Sequence, residues 1–391
     1  MDAKRFESSP IGQVVPIAGY DPRFDEEYDH VAYVPEPLPE RVVLDSETWK
    51  IVADAMLELG RLDDATSGFP NPLLLVRPTL RREAVSTSAL EGTFTDLEDV
   101  LAADVEDRSE LPADVREVIN AIAAMEYGLD AVNSGRALTA HLACELQEVL
   151  ITGTPSDGPD TGRIRTANVF IGRDDQRVHE TRFIPSPHGP TLEGLFRRWE
   201  EWVNAESSIH LLVKCALAHY QFETIHPFHD GNGRVGRTLA ILQLIDGRAI
   251  HHPNLAISVW LQEHDAEYRD GLAELSATGD FDPWVRLFAT AIAEQATTER
   301  ARVSRLLELR DEVVEQARQA NLRGVAVQIA QDLIGFPYLR VTDISERYHV
   351  SFQAANKAVG RLVETGLLKQ VGERSYGRVF TSPKVVGALR V

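Results

Sequence analysis

Apolar residues recur at intervals of three and four through most of the chain, while strict alternation is confined to short stretches, so a mainly helical protein is expected. From Ser46 to Leu62 the apolar positions are Trp49, Val52, Ala55, Met56 and Leu59, with Gly60 near the end. A second helix should start near Pro78 and run through Leu90, with Gly92 in the left-handed position that closes many helices. Further helices are read at 115–132, 139–151, 192–204 and 210–224, and 284–320 reads as one or two long helices whose second half alternates charge. Residues 1 to about 40 carry Pro10, Pro16, Pro22, Pro35, Pro37 and Pro39 among many charges and read as an extended arm or loop. Two short strands, Ala167–Ile171 and His179–Ile184, are expected to form a hairpin around Gly172.

The chain's 391 residues exceed a typical single core, so two or three domains are expected. A net charge of −20 and a pI of about 5.0 argue against a surface that binds nucleic acid or anionic membrane all over. Cys144 and Cys215 lie in apolar helical patterns and make neither a disulfide framework nor a metal site; they read as buried thiols in a reducing cytosol. The first residues lack the apolar stretch of a signal peptide, and no run of about twenty apolar residues exists to span a bilayer. A soluble cytoplasmic protein that does not engage membranes is expected.

The last sixty residues change character. Residues 341–350 and 351–366 have the form of helix, turn and second helix with Ser351 as cap, and 367–371 with 377–381 would form a two-stranded wing. From 341 onward four acidic residues stand against eight basic ones, a net +4 that suggests nucleic acid, against the plainer reading of a module for protein contacts.

One stretch concentrates the chemistry: His226-Pro-Phe-His-Asp-Gly-Asn-Gly-Arg-Val-Gly-Arg237. Pro227 disfavours the helical region for the residue before it, so His226 should sit on an extended or loop segment with its imidazole free. Gly231 and Gly233 let backbone N–H groups approach an anion, with Asn232 tolerating the same turn, and the apolar run from Thr238 makes this loop the N-terminus of a helix. Arg234 and Arg237, three apart, should share a face beside that anion, where guanidinium forks match phosphate. Asp230 suits a magnesium ion that keeps its waters and phosphate oxygens. A glycine-rich helix start with an incidental histidine would explain the glycines but not this coincidence. Zinc on His226 and His229 is rejected, because no cysteine or third histidine stands at ligand spacing. His219, on an apolar helix, reads as a hydrogen-bonded core histidine.

The pattern His-x-Phe-x-Asp-Gly-Asn-Gly-Arg-x-x-Arg is the signature of the Fic family, and this sequence resembles it without departure at any defining position. The resemblance implies transfer of AMP from ATP to a protein hydroxyl, with His226 as base, Asp230 on magnesium, and Gly231, Asn232, Gly233, Arg234 and Arg237 on the phosphates. Thr87-Ser-Ala-Leu-Glu91-Gly92 resembles the family's inhibitory helix signature, which implies that Glu91 acts on Arg237. The hairpin at 167–184 looks like the flap that holds the target protein by strand addition. Residues 258–268 look like the helix that closes the nucleotide site, with Tyr268 matching an aromatic of the adenine pocket; where many members carry Asn before that tyrosine, this chain has His264. The tail resembles the winged helix-turn-helix appended to many members.

The expected organisation is an N-terminal arm and helical region with the inhibitory motif (1–110), a Fic core with a small hairpin (111–298), a linking helix (299–330) and a winged helix (331–391). The expected substrates are Mg-ATP and a protein, the chain itself included, with DNA as a candidate partner of 341–381. A homodimer is compatible with this reading. Two rivals stay open: removal of AMP with Glu91 activating water, and a DNA-binding regulator whose core only senses nucleotide.

Overall fold

The computed structural model describes residues 1–173, 175–372 and 377–390, and helices dominate it. The first forty residues are not a loose arm. Strands β1 (Gly12–Asp21) and β2 (Glu26–Pro35) pair antiparallel from Gly12 opposite Pro35 to Asp21 opposite Glu26. Proline content misleads here, because Pro16 lies in a two-stranded ladder that tolerates a missing N–H, Pro22 opens the turn and Pro35 ends β2. Ile17, Ala32 and Tyr33 pack with Phe6, Phe183 and Ile184 in a small second core.

Helix α1 (Ser46–Ser67) is capped by Asp45, which accepts from the Thr48 N–H at 2.7 Å. Helix α2 (Leu73–Leu90) starts ahead of the expected Pro78, because the apolar run Leu73–Val76 supplies its first turn. Pro78 then lies inside the helix, where it removes only the N–H that would have met the Leu74 carbonyl. Helices α3 (Leu97–Ala102), α4 (Ala113–Asn133), α5 (Ala140–Ile151), α6 (Pro190–Asn204), α7 (Leu211–Ile225) and α8 (Asn232–Asp246) follow. Helix α8 is buried along nearly its whole length, packed by α7, α4, α5 and α2. The expected closing helix is broken in two, α9 (Ile257–Glu263) and α10 (Asp265–Thr278), at His264, whose ring stacks 3.8 Å from that of Trp260. Helix α11 (Phe281–Gln319) is a single helix of 39 residues lying along α1.

The hairpin expected at 167–184 is reduced to one bridge, Ile171 opposite Phe183, with a helical turn at Val178–Glu180 between the two. Its backbone is used elsewhere: the Ile184 carbonyl accepts from the Tyr33 N–H of β2 at 2.9 Å. Asp174, in the expected turn, lies outside the described residues.

The C-terminal segment contains α12 (Val325–Asp332), β3 (Tyr338–Arg340), α13 (Val341–Arg347), α14 (Phe352–Glu364), β4 (Lys369–Val371), β5 (Val379–Thr381) and α15 (Pro383–Arg390). Ser351 caps α14 by accepting from the Ala354 N–H. The expected pair of strands is shorter at its outset than read, and a third strand, β3, pairs on the far side of β5. Three residues gave β3 no alternation to detect. The expected wing also includes residues 373–376, which lie outside the described ones.

This segment grips α2. Gly335 packs on the backbone of Leu74, so closely that a Cβ there would lie 2.9 Å from the Leu74 Cα. Arg77 donates to the Gly335 carbonyl at 3.3 Å and stacks on Phe336. Beyond the other end of α2, Arg390 pairs with Asp96 at 3.0 Å and Glu98 at 2.8 Å, and the Tyr338 hydroxyl donates to Glu98.

Candidate active site

The predicted chemistry gathers where α7 ends, α8 begins and the C-terminus of α2 crosses them. Helix α7 runs to Ile225, and His226 terminates it in the left-handed region, φ 51° and ψ 65°, not in the extended backbone expected. Pro227 disfavours the right-handed conformation, and the left-handed one lets the His226 N–H still donate to the Phe222 carbonyl at 2.9 Å. The imidazole Nδ1 lies 3.3 Å from the Glu223 carbonyl. A carbonyl can only accept, so this contact places the hydrogen on Nδ1 and leaves a lone pair on Nε2. Burial, reinforced by the charge of Arg165, pushes the His226 pKa down to about 4, which keeps the ring neutral.

Helix α8 starts at Asn232, inside the glycine stretch, after Gly231 at φ 84°. A side chain at Gly231 would also strike Leu150. The Asn232 amide is spent on the loop, accepting from the Phe228 N–H at 2.8 Å and donating to the Phe228 carbonyl at 2.9 Å. It braces the turn and does not reach outward. The first intrahelical bond is from Val235 to Gly231, so the N–H groups of Asn232, Gly233 and Arg234 precede the ladder, as an anion site requires.

Glu91 occupies that place. Its Oε1 would lie 2.0 Å from a Cβ at Gly233, so only glycine admits the carboxylate onto the first turn of α8. Arg237 donates from Nη2 to Glu91 Oε1 at 2.6 Å, from Nε to Thr87 Oγ1 at 2.7 Å and from Nη2 to the Thr87 carbonyl at 3.0 Å. Burial opposes the charged form of Glu91, but Arg237, with Arg234 and Arg269, outweighs it and holds the carboxyl below its ordinary value. Gly92 follows in the left-handed region and closes α2. The side chains of Arg237 and Glu91 are 3% and 30% exposed, so the pair is sealed at one end and wet at the other.

Arg234 diverges from Arg237, contrary to expectation: it donates to Glu117 of α4 at 3.1 Å and lies 3.6 Å from Asp230 Oδ1. Three residues advance the helix by about 300°, leaving the two guanidiniums about 60° apart around the axis, enough to send them to different neighbours. Asp230 is partly exposed, and its Oδ1 also accepts from the Gly231 N–H.

Glu91, His226, Gly233, Arg237 and Tyr268 line one cavity; Thr87, Gly92, Asp230, Gly231, Asn232 and Arg234 stand around it. Tyr268 is buried, its hydroxyl 2.8 Å from Nε2 of His219, and burial holds His219 neutral with its pKa near 3. His219 is therefore the hydrogen-bonded core histidine that was expected. The sequence reading missed Glu223, Arg269 and Arg182, which share the cavity wall. Glu223 had a signal, as the one carboxylate in the sequence of α7. Its buried Oε1 finds no hydrogen-bond partner among the described residues, and burial pushes its pKa up to about 7 despite Arg237. Arg269 donates to the Leu90 carbonyl at 2.6 Å and so holds the end of α2.

Among the described residues no group of three or more His, Cys, Asp or Glu gathers as a metal cage. A single partly exposed carboxylate, Asp230, fits magnesium that draws its other ligands from phosphate and water. No helix among the described residues is long and apolar enough to cross a membrane.

Residues 49–130 match the Fic/DOC family N-terminal region and residues 137–244 the Fic/DOC family. Protein adenylyltransferase Fic of Culex quinquefasciatus is 32% identical over 208 residues, covering 52% of this chain and 37% of that protein. Protein adenylyltransferase fic-1 of Caenorhabditis elegans is 29% identical over 222 residues, covering 55% and 40%. The chain thus spans less than half the length of these curated relatives. A Fic family protein from Desulfovibrio desulfuricans shares the fold with a TM-score of 0.58 at 22% identity, over 88% of this chain and 98% of that one. Fic-1 (aa134–508) of C. elegans has a TM-score of 0.50 at 22% identity, over 67% and 74%. Across residues 49–244, the stretch that builds most of the cavity, this chain belongs to the Fic/DOC family.

Proposed function

We propose that this chain transfers AMP from Mg-ATP to a hydroxyl side chain of a protein, itself included, and that Glu91 holds it back. The observation that carries the reading is the neutral imidazole of His226 sharing a cavity with Gly233 and Arg237 at the start of α8. His226 Nε2 takes the proton of the attacking hydroxyl, a contribution of about 10²–10⁴-fold. The N–H groups of the first turn of α8 and the Arg237 guanidinium hold phosphate charge as it shifts toward the leaving pyrophosphate. Asp230 would hold magnesium, which neutralises phosphate oxygens when bound. Tyr268, with its hydroxyl committed to His219, contributes its ring to the wall beside the nucleotide.

With Glu91 on the first turn of α8 and hydrogen-bonded to Arg237, ATP binds with its phosphates turned from in-line attack. The target segment adds as a strand beside Ala167–Ile171. Main-chain bonds of that kind give affinity with little side-chain selectivity. The C-terminal segment, with a net +4 from 341 onward, is the proposed DNA contact, through α14 and the β4–β5 pair.

The position of Glu91 in the same cavity as His226 favours a second reading, in which that carboxylate activates water to remove AMP from a modified protein. Intact-mass measurement after incubation with Mg-ATP separates the readings. An AMP-sized increment on this chain or a target supports transfer; loss of the increment from a pre-modified target supports removal; neither change refutes both.

A further inference from the structure

Arg165 is 1% exposed and has no carboxylate partner among the described residues. Its three donor nitrogens go to carbonyls instead: Nε to His226 at 2.8 Å, Nη1 to Ala167 at 2.9 Å and Nη2 to Ser186 at 2.6 Å. Its own N–H donates to the Pro227 carbonyl at 2.9 Å. Burial lowers its pKa to about 10, so the guanidinium remains charged at neutral pH. A buried charge without a counter-ion is costly, and its retention calls for a reason.

The three acceptors supply one. The His226 carbonyl belongs to the residue forced into the left-handed region, and such backbone persists only where its surroundings over-determine it. Ala167 and Ser186 bracket the segment that carries the Ile171–Phe183 bridge. We propose that Arg165 is a positioning residue: its rigid planar fork fixes the distance between the His226 base and the segment 167–186 that presents the target hydroxyl. The proposal rests on the AMP-transfer reading for its consequence in catalysis but not for its consequence in geometry. Lysine keeps the charge yet reaches one of the three carbonyls, since its single nitrogen has no fork.

The test uses Arg165→Lys and Arg165→Met in the full chain carrying Glu91→Gly. Positioning predicts a loss in kcat for AMP transfer of ~10²-fold in both, because misplacing reacting groups by about 1 Å costs that much. The KM for ATP should move less than about threefold, since neither α8 nor Arg237 is touched. Hydrogen exchange is read on the same proteins. The amides of 167–186 and 226–228 should lose protection together in both variants, while those of α4 and α11 stay protected.

A rise in KM for ATP with kcat unchanged overturns the proposal, as does lost protection confined to one of the two segments. If the Arg165-intact parent transfers no AMP, the functional reading fails, and the exchange pattern alone decides whether Arg165 couples the segments. Should Arg165→Met fail to fold, Arg165→Lys carries the test; full activity in Arg165→Lys refutes it.

Discussion

Glu91→Gly removes the carboxylate from the first turn of α8 and should release the site. The backbone tolerates the change, because Glu91 caps α2 at φ −96° and ψ 6° and Gly92 already takes the left-handed position. What is lost is one charge-assisted hydrogen bond to a guanidinium that is 3% exposed, from a carboxylate that is 30% exposed. An exposed pair is worth roughly 0.2–1 kcal/mol and a hydrogen bond to a charged group about 1.5–3 kcal/mol. This half-sealed pair lies between, at about 1–2 kcal/mol, which corresponds to a 5- to 30-fold shift in the population of released Arg237. The two Thr87 contacts survive the substitution and keep the gain from being larger. The assay is incorporation of AMP into this chain and a competent target at saturating Mg-ATP, followed by intact mass over time. Arg237→Ala should not mimic the gain, since it loses clamp and lock together, and the double variant should be as inactive as Arg237→Ala alone. Equal rates in wild type and Glu91→Gly would reduce Thr87–Gly92 to a helix end. A lower rate would point to the AMP-removal role.

His226→Ala should abolish transfer while melting temperature and ATP affinity stay near the parent's; modification at the parent rate removes the proposed base. With the His226 pKa near 4, below the ordinary 6.5, the imidazole is neutral from pH 8 down to 5, so the acid limb of kcat/KM should lack an inflection near 6.5. The same depression makes the unfolded chain bind the extra proton first, so this residue's contribution to stability is full above pH 6.5 and is lost as pH falls toward 4; a denaturant titration of His226→Gln should show a shallower loss over that window. Asp230→Ala should raise the magnesium concentration needed for half-maximal transfer, and an unchanged magnesium curve would dismiss Asp230 as the ligand. Lys357→Ala on exposed α14 should flatten the salt dependence of DNA binding by about 0.9 in log–log slope, and no DNA affinity at low salt would make this segment an interaction module.

The candidate site was more legible in the sequence than the fold because the information there is chemical and local. The run from His226 to Arg237 offers a candidate base, a candidate anion-binding helix start and two cations without any tertiary knowledge. Glu91 was reachable only through its spacing from Thr87 and its likeness to a family signature; its seat on Gly233 depends on how α2 crosses α8. Arg234 illustrates the limit. Helical spacing put it beside Arg237, but Glu117 on α4, far away in sequence, takes it elsewhere. The β1–β2 hairpin was hidden because its prolines fall where a two-stranded ladder can absorb them, and the 167–184 hairpin dissolved because β2 takes the Ile184 carbonyl. Arg165 sits between Ile164 and Thr166 with nothing local to mark it, since all but one of its acceptors come from distant segments.

The grip on α2 has a thermodynamic consequence. Its N-terminal turns are packed under Gly335 and Arg77 is held at Phe336, while the chain just past Glu91 is tied to Arg390 and Tyr338. α2 therefore cannot slide off α8 as a free rod; lifting Glu91 strains or breaks contacts made by the C-terminal segment. Two equilibria that share one element share one coupling free energy, and the coupling runs equally in both directions. Under the proposed inhibition by Glu91, a ligand that loosens the C-terminal segment from α2 would lower the cost of freeing Arg237, and a nucleotide that captures Arg237 would loosen the C-terminal segment by the same amount.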